Sequence, residues 1–156
     1  MNLTTILTPE LTFCNVQGGS KKRLIEKAAE LIAGKVPQVE AGQIFESLIA
    51  REQLGCTGLG EGIAIPHCRI PKLQNTIGSL IKLQTPIDFD AGDRKPVDLL
   101  FFLLVPENTI KGHLEVLKTL AENFSKPEYC ARLRASSSDA ELYAAAIMPL
   151  PSQGSG

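Results

Sequence analysis

One segment of this chain is apolar at every position after its first residue, and it restricts the possible folds more than any other. It is DLLFFLLV, which runs from Asp98 to Val105. Alternate side chains of a β-strand point to opposite faces of the sheet, so a strand with one exposed face alternates apolar and polar residues. A continuous apolar run is typical of a strand that is covered on both faces. The segment therefore predicts a central strand with a layer of structure on each side.

Segments with helical periodicity lie before and after this strand and can supply the two layers. Five helices are predicted. The first follows the N-cap residue Ser20 and ends at Gly34, the second covers 41–53 and the third 113–124. The fourth follows Pro127 and includes 129–133, and the fifth runs from Ser138, in a capping box with Glu141, to about Met148. Shorter strands are predicted over 11–16, 62–65 and 77–84, with Pro66 ending the second of them. This order predicts a single α/β domain over 1–148, with a mixed β-sheet flanked by helices on both faces. The Pro/Gly/Ser-rich tail, 149–156, is expected to be disordered.

Charge and composition exclude several kinds of partner. The 156 residues carry a formal net charge of -1, so no basic surface for nucleic acid or anionic lipid is indicated. The longest apolar run, Leu99 to Val105, is far shorter than the roughly 20 residues that span a bilayer. The N-terminal segment lacks the basic start and apolar stretch of a signal peptide. We therefore expect a cytoplasmic protein whose four cysteines are reduced thiols.

Histidine is rare in this chain, and one of the two histidines follows an unusual segment. In GLGEGIAIPHCRI, 58–70, His67 comes after three glycines and a proline. Glycines let backbone N–H groups approach an anion closely, and Arg51, at the end of a predicted helix, carries a guanidinium that matches phosphate geometry. His113 opens the helix that follows the central strand, and ligand sites in open α/β sheets lie where such loops converge. Each feature alone also fits an ordinary surface residue, but together they predict a phosphate-handling site.

The segment REQLGCTGLGEGIAIPHCRI, 51–70, resembles the signature of the type-2 enzyme IIA domains of the bacterial phosphoenolpyruvate-dependent phosphotransferase system. The resemblance extends over almost the whole chain, from about Leu7 to Ile147, and includes QTPIDFDAGDRKPVDLLFFLLVPE and HLEVLKTLAENF. The residues SKK at the start of the first predicted helix are similar to the nitrogen-regulatory branch rather than the fructose and mannitol transport branch.

The resemblance implies roles for three residues. His67, in IAIPH, matches the histidine that the family phosphorylates on the imidazole Nε2. His113, in GHLEVL, matches a second histidine that lies beside the first. Arg51 matches an arginine close to the phosphoryl group. Phosphoryl transfer depends mainly on positioning and positive charge, which these residue types supply.

The glycine-rich segment supplies further candidates and one departure from the family. Thr57 occupies the position of a Ser/Thr that is a candidate donor to a phosphate oxygen, with Gly58 and Gly60 as candidate phosphate-binding residues beside it. Cys68 stands where the family usually has glycine, which affects the expected backbone geometry there. The Cys68 thiol is either a small side chain that fits into the available space or a redox-sensitive group. A redox role requires that the thiol be exposed and have a lowered pKa.

The function implied by the resemblance is that of a phosphoryl carrier with a phosphohistidine intermediate and no cofactor. Its expected donor is a nitrogen-type HPr phosphocarrier, and its expected targets are regulatory proteins that read its phosphorylation state. The alternative is a IIA component that passes the phosphoryl group to a IIB domain for sugar uptake. A third interpretation, a metal site built from Cys56, His67, Cys68 and His113, is disfavoured because adjacent residues of an extended backbone point apart.

Overall fold

The described residues form, in chain order, one strand, two α-helices, five strands and three α-helices. The computed structural model describes residues 3–108 and 111–149, and for residues 111–113 it describes the backbone alone. After a short 3₁₀ helix, Leu3–Thr5, the α-helices in this part of the chain are α1 (Lys21–Ala33), α2 (Ala41–Leu54), α3 (Lys111–Phe124), α4 (Pro127–Arg134) and α5 (Asp139–Ile147). The strands are β1 (Leu7–Val16), β2 (Gly58–Gly60), β3 (Ile63–Ala64), β4 (His67–Ile70), β5 (Ile77–Ile87) and β6 (Val97–Pro106). The expected tail, apart from Pro149, falls outside the described residues, and its disorder stays a prediction.

All six strands form one open, mixed sheet. The order is β1-β5-β6-β3-β2, and β4 also pairs with β6. Strand β6 is antiparallel to β5 and parallel to β3 and β4, while β1 is parallel to β5. Every residue from Leu99 to Val105 is fully buried, so the prediction of a central covered strand is confirmed.

Each face of the sheet packs against helices in an apolar cluster of its own. Leu100, Phe102 and Leu104 of β6 pack with α1 and α2. Their neighbours Leu99, Phe101, Leu103 and Val105 pack with α3, α4 and α5 on the opposite face. The predicted α/β fold with helices on both faces is therefore confirmed. None of the described helices is long and apolar enough to cross a membrane.

Strand β3 ends before Pro66, as predicted, but pairing with β6 resumes at His67, which the sequence does not predict. Ile63 pairs with Leu99 and His67 pairs with Leu103, so β3 and β4 keep one register along β6. Proline lacks the N–H group of a ladder bond, but its carbonyl remains an acceptor, and Pro66 O accepts the Leu103 N–H at 2.9 Å. His67 is therefore the first residue of a strand that is anchored on the buried β6.

The predicted capping box at the start of α5 is half formed. Ser138 Oγ accepts the Glu141 N–H at 3.1 Å, as predicted. The Glu141 carboxylate accepts instead from the N–H of Ser137, one residue earlier, at 2.8 Å. The helix nevertheless begins at the predicted residue because Ser138 supplies the N-terminal acceptor.

Gly62, in the turn that leads into β3, occupies a position that excludes a side chain. Its φ is +83°, and an added Cβ would lie 2.6 Å from Nη2 of Arg134 and 2.9 Å from Oδ1 of Asp98. These two residues form a salt bridge of 2.8 Å that would have to move. We expect Gly62→Ala to lower the free energy of unfolding by about 1–3 kcal/mol, from backbone strain and crowding.

Denaturant unfolding measures this effect, and Gly42 is the matched control. Gly42 lies in α2 with no heavy atom within 4 Å of an added Cβ. Gly42→Ala should stabilise the protein by roughly 0.5–1 kcal/mol, because alanine favours a helix over glycine. Equal stability of the wild type and Gly62→Ala would contradict the packing described for this turn.

Candidate active site

The His67 imidazole is held by the backbone two residues before it. This half-buried side chain places Nδ1 at 2.7 Å from the carbonyl oxygen of Ile65. A carbonyl oxygen only accepts hydrogen bonds, so Nδ1 carries the hydrogen. In the neutral ring the lone pair is then on Nε2. The bond therefore selects the tautomer in which Nε2 is the nucleophilic nitrogen.

Arg51 approaches His67 from the last turn of α2. Its Nε–H donates to Nε2 of His67 at 3.3 Å, and Nη1 donates to the carbonyl oxygen of Gly55 at 3.0 Å. The helix end thus supplies one acceptor that orients the guanidinium. The structure brings the predicted cation and the predicted acceptor histidine into direct contact.

Burial lowers the pKa of His67 below its ordinary value of 6.5. The hydrogen bond to the Ile65 carbonyl acts in the opposite direction, the positive charge of Arg51 lowers the pKa further, and the negative charge of Glu52 raises it. The balance keeps the imidazole neutral at pH 7, and only the neutral ring has a free lone pair for attack.

We expect the His67 midpoint in an NMR titration to lie below pH 6.5 in the unphosphorylated protein. The chain has two histidines, so the His113→Ala variant leaves one signal and assigns it. In Arg51→Ala the midpoint should rise, because the charge that disfavours protonation is gone. A wild-type midpoint at or above 6.5 would contradict the geometry of this site.

Thr57 is engaged by a carboxylate rather than exposed to solvent. Its side chain is buried, its hydroxyl donates to Oε2 of Glu52, and its N–H donates to Oε1 of the same residue at 3.4 Å. Gly58 belongs to β2, and its N–H donates to Sγ of Cys56 at 3.3 Å. The structure therefore gives two of the three predicted phosphate-binding residues, Thr57 and Gly58, a protein partner, and their contact with phosphate stays a prediction.

Gly60 lies at the tip of the β2–β3 hairpin beside an acidic side chain. Its φ is +89°, and an added Cβ would lie 3.4 Å from a carboxylate oxygen of Asp93. The same carboxylate accepts the N–H of Glu61 at 2.9 Å. The backbone N–H of Glu61 at this tip therefore already has an acceptor, the carboxylate of Asp93. The role of Gly60 in phosphate binding stays a prediction.

His113 is the third residue of α3, which begins at Lys111 rather than at His113. Its side chain falls outside the described residues. The backbone places the start of α3 just after the end of β6, which pairs with β4 through residue 106. The role of His113 beside His67 stays a prediction.

Cys68 points away from the site, into the cluster formed with α1 and α2. The side chain is buried, and burial raises the pKa of its thiol to about 12. Reactivity requires a thiolate, so the structure favours the interpretation of Cys68 as a small packed side chain over a redox role. Among the side chains that the structure describes, no three His, Cys, Asp or Glu residues group as a metal site requires.

Two groups that contact the site residues are not predicted from the sequence: the Ile65 carbonyl and the Glu52 carboxylate. Glu52 is only 4% exposed in its side chain and lies 3.0 Å from Nζ of Lys21. A carbonyl carries no residue signature, and a glutamate next to an arginine at a helix end is typical of an exposed helix turn. The one sequence signal for the contact between Lys21 and Glu52 is the segment SKK, 20–22, which contains Lys21.

Fold and site together define an α/β domain that presents the Nε2 lone pair of one histidine to an arginine at a helix end. Residues 5–147 match the family model described as "Phosphoenolpyruvate-dependent sugar phosphotransferase system, EIIA 2". The chain therefore belongs to this family, and the resemblance found in the sequence is confirmed.

Within the family, the similarity is to the nitrogen regulatory proteins. The Nitrogen regulatory protein of Pseudomonas aeruginosa is 48% identical over 143 residues, which cover 92% of this chain and 93% of that protein. The crystal structure of Nitrogen Regulatory Protein IIA-Ntr from Neisseria meningitidis has a TM-score of 0.83 at 43% identity, over 90% of this chain and 96% of that one. Enzyme IIA mannitol of Escherichia coli, solved with phosphorylated enzyme IIB mannitol, shares the fold with a TM-score of 0.73 at 20% identity, over 90% and 98% of the two chains.

Proposed function

We propose that this chain is a cytoplasmic phosphoryl carrier and regulator of the nitrogen-type phosphotransferase system. It accepts a phosphoryl group on Nε2 of His67 from a nitrogen-type HPr phosphocarrier. The observation that carries the proposal is the 2.7 Å contact between His67 Nδ1 and the Ile65 carbonyl, because it leaves Nε2 as the nucleophile. Membership in the EIIA type-2 family supports the same chemistry.

The transfer exchanges one N–P bond for another. The lone pair on Nε2 of His67 attacks the phosphorus of the donor phosphohistidine, and the electron pair of the breaking N–P bond returns to the donor ring. As Nε2 gains the phosphoryl group, the His67 ring becomes positively charged and its Nδ1–H more acidic. The Ile65 carbonyl accepts that hydrogen and so stabilises the charge that develops.

Arg51 has two successive parts in this proposal. Before transfer its Nε–H donates to the lone pair that must attack, so this contact opens as the phosphorus approaches. The guanidinium then faces the phosphoryl oxygens, where a planar set of donors suits spread negative charge. The attached group adds roughly two negative charges to a chain whose net charge is -1. Regulatory partners can read that local change.

The alternative proposal is a IIA component that passes the phosphoryl group to a IIB domain for sugar uptake. The fold shared with enzyme IIA mannitol favours it, because that protein was solved with phosphorylated IIB mannitol. The similarity to proteins named for nitrogen regulation favours the first proposal.

Reconstitution with phosphoenolpyruvate and the general phosphotransferase enzymes separates the two. We expect rapid phosphorylation by the nitrogen-type carrier and slow phosphorylation by the sugar-type HPr. Preference for the sugar-type carrier, with onward transfer to a IIB domain, would favour the transport role. Absence of phosphorylation by either carrier would overturn both.

His113→Ala should still accept a phosphoryl group, but more slowly than the wild type. A neighbouring imidazole donates to a phosphate oxygen, so onward and reverse transfer should be slowed more than uptake. Single-turnover transfer in both directions with purified phosphorylated carrier measures this difference. Wild-type rates in both directions would make His113 a structural residue.

A further inference from the structure

A buried carboxylate contacts the glycine-rich segment of the predicted site. Glu52 follows Arg51 on α2, and its side chain is only 4% exposed. Burying a carboxylate costs free energy unless charged and hydrogen-bonding partners satisfy it. Glu52 has both kinds of partner: Nζ of Lys21 lies 3.0 Å from Oε1, and Thr57 donates its hydroxyl to Oε2. The structure thus ties the start of α1, the end of α2 and the glycine-rich segment together at one residue.

A continuous set of contacts leads from this carboxylate to the reacting ring. Glu52 holds Thr57 through its N–H and its hydroxyl. The carbonyl of Thr57 accepts the N–H of Ile65 at 3.0 Å. The carbonyl of Ile65 in turn accepts the hydrogen on Nδ1 of His67 at 2.7 Å. The group that fixes the His67 tautomer is therefore itself held by the Glu52–Thr57 pair.

We infer that Glu52 and Thr57 are positioning residues for His67. They hold Ile65 so that its carbonyl keeps the imidazole in the Nδ1–H tautomer, with Nε2 turned toward Arg51. This inference rests on the proposed function for its consequence in transfer, but not for its effect on the ring. It assigns the Thr57 hydroxyl to Glu52 and not to a phosphate oxygen, because one hydroxyl hydrogen serves one acceptor at a time.

Two substitutions test the assignment, each with a matched control. Thr57→Val keeps the shape of the side chain and removes the hydroxyl, whereas Thr57→Ser keeps the hydroxyl. Glu52→Gln removes the charge that pairs with Lys21, and Glu46→Gln makes the same change at an exposed position of the same helix. Thermal unfolding establishes that each variant is folded before it is compared.

The first measurement is the ¹⁵N NMR spectrum of the His67 ring in the unphosphorylated protein above pH 7.5. Wild type, Thr57→Ser and Glu46→Gln should show the Nδ1–H tautomer, while Thr57→Val and Glu52→Gln should show a rise in the Nε2–H tautomer. Wild-type tautomers in both test variants would overturn the inference. Because the sample holds no phosphoryl group, this result is independent of the proposed function.

The second measurement is single-turnover phosphorylation by the nitrogen-type carrier. A slightly misplaced nucleophile costs on the order of 10- to 100-fold in rate, so both test variants should be slowed to this extent. Residues that act as one unit are not additive, so the double variant Glu52→Gln/Thr57→Val should be no slower than the slower single variant. Slow transfer in Thr57→Val with wild-type transfer in Glu52→Gln would instead make Thr57 a direct phosphate ligand. If Glu52→Gln does not fold, the comparison of Thr57→Val with Thr57→Ser decides.

Discussion

His67→Ala takes up no phosphoryl group from the phosphorylated carrier: this is the largest effect we expect. The substitution removes the nitrogen that is proposed to form the new bond, and neither of the nearby nucleophiles whose side chains the structure describes, Cys68 and Thr57, is available to replace it. The Cys68 thiol is buried with a pKa of about 12, and the Thr57 hydroxyl is bound to Glu52. Incubation with labelled phosphoenolpyruvate and the general enzymes measures the acid-labile, base-stable phosphate of a phosphohistidine.

His113→Ala is the control for this experiment, because it removes the only other histidine of the chain. It should be labelled at Nε2 of His67, although more slowly than the wild type. Full labelling of His67→Ala would remove His67 from the mechanism. Labelling that is lost in His113→Ala and kept in His67→Ala would exchange the roles of the two residues.

Arg51→Ala should slow phosphorylation of His67 by on the order of 100-fold or more, the usual cost of one lost transition-state contact. Nε of Arg51 lies 3.3 Å from Nε2 of His67, so its guanidinium lies where the proposed phosphoryl group would bring its charge. Single-turnover transfer from purified phosphorylated carrier measures the rate.

Arg51→Lys separates charge from geometry. Lysine keeps the positive charge but lacks the planar donors that bridge His67 and Gly55. We therefore expect a rate between those of the wild type and Arg51→Ala. Wild-type transfer in Arg51→Ala would show that the arginine has only a structural part in the site.

The central part of the fold could be predicted from the sequence because its signal is local and strong. An apolar run such as Leu99 to Val105 fits few environments besides a strand covered on both faces, and the structure buries every residue of it. The helix starts at Ser20 and Ser138 were predicted for a similar reason, since each serine accepts a backbone N–H three residues later.

The resumption of pairing after Pro66 could not be predicted, because the effect of a proline on a strand depends on the neighbouring strand. Pro66 lacks a donor, but β6 supplies a donor to its carbonyl, and pairing resumes at His67 in the same register. No local pattern contains that information, since Leu103 lies 36 residues further along the chain.

The structure brings two of the predicted site residues together, and their roles stay predictions. The contact of Arg51 with His67 agrees with the sequence prediction that both belong to one site. The partners of Thr57 were not foreseen, because a threonine in a glycine-rich segment is typical of an exposed phosphate loop. Its burial against Glu52 depends on Lys21, which comes from a distant helix start and satisfies the carboxylate.

The most direct test of the proposed chemistry is to identify which nitrogen becomes bonded to phosphorus. Protein labelled with ¹⁵N-histidine and phosphorylated by the carrier can be examined by ¹⁵N and ³¹P NMR. The Ile65 contact at Nδ1 predicts that phosphorus is bonded to Nε2 of His67, with the hydrogen still on Nδ1. Phosphorus bonded to Nδ1 of His67, or to any other residue, would contradict it.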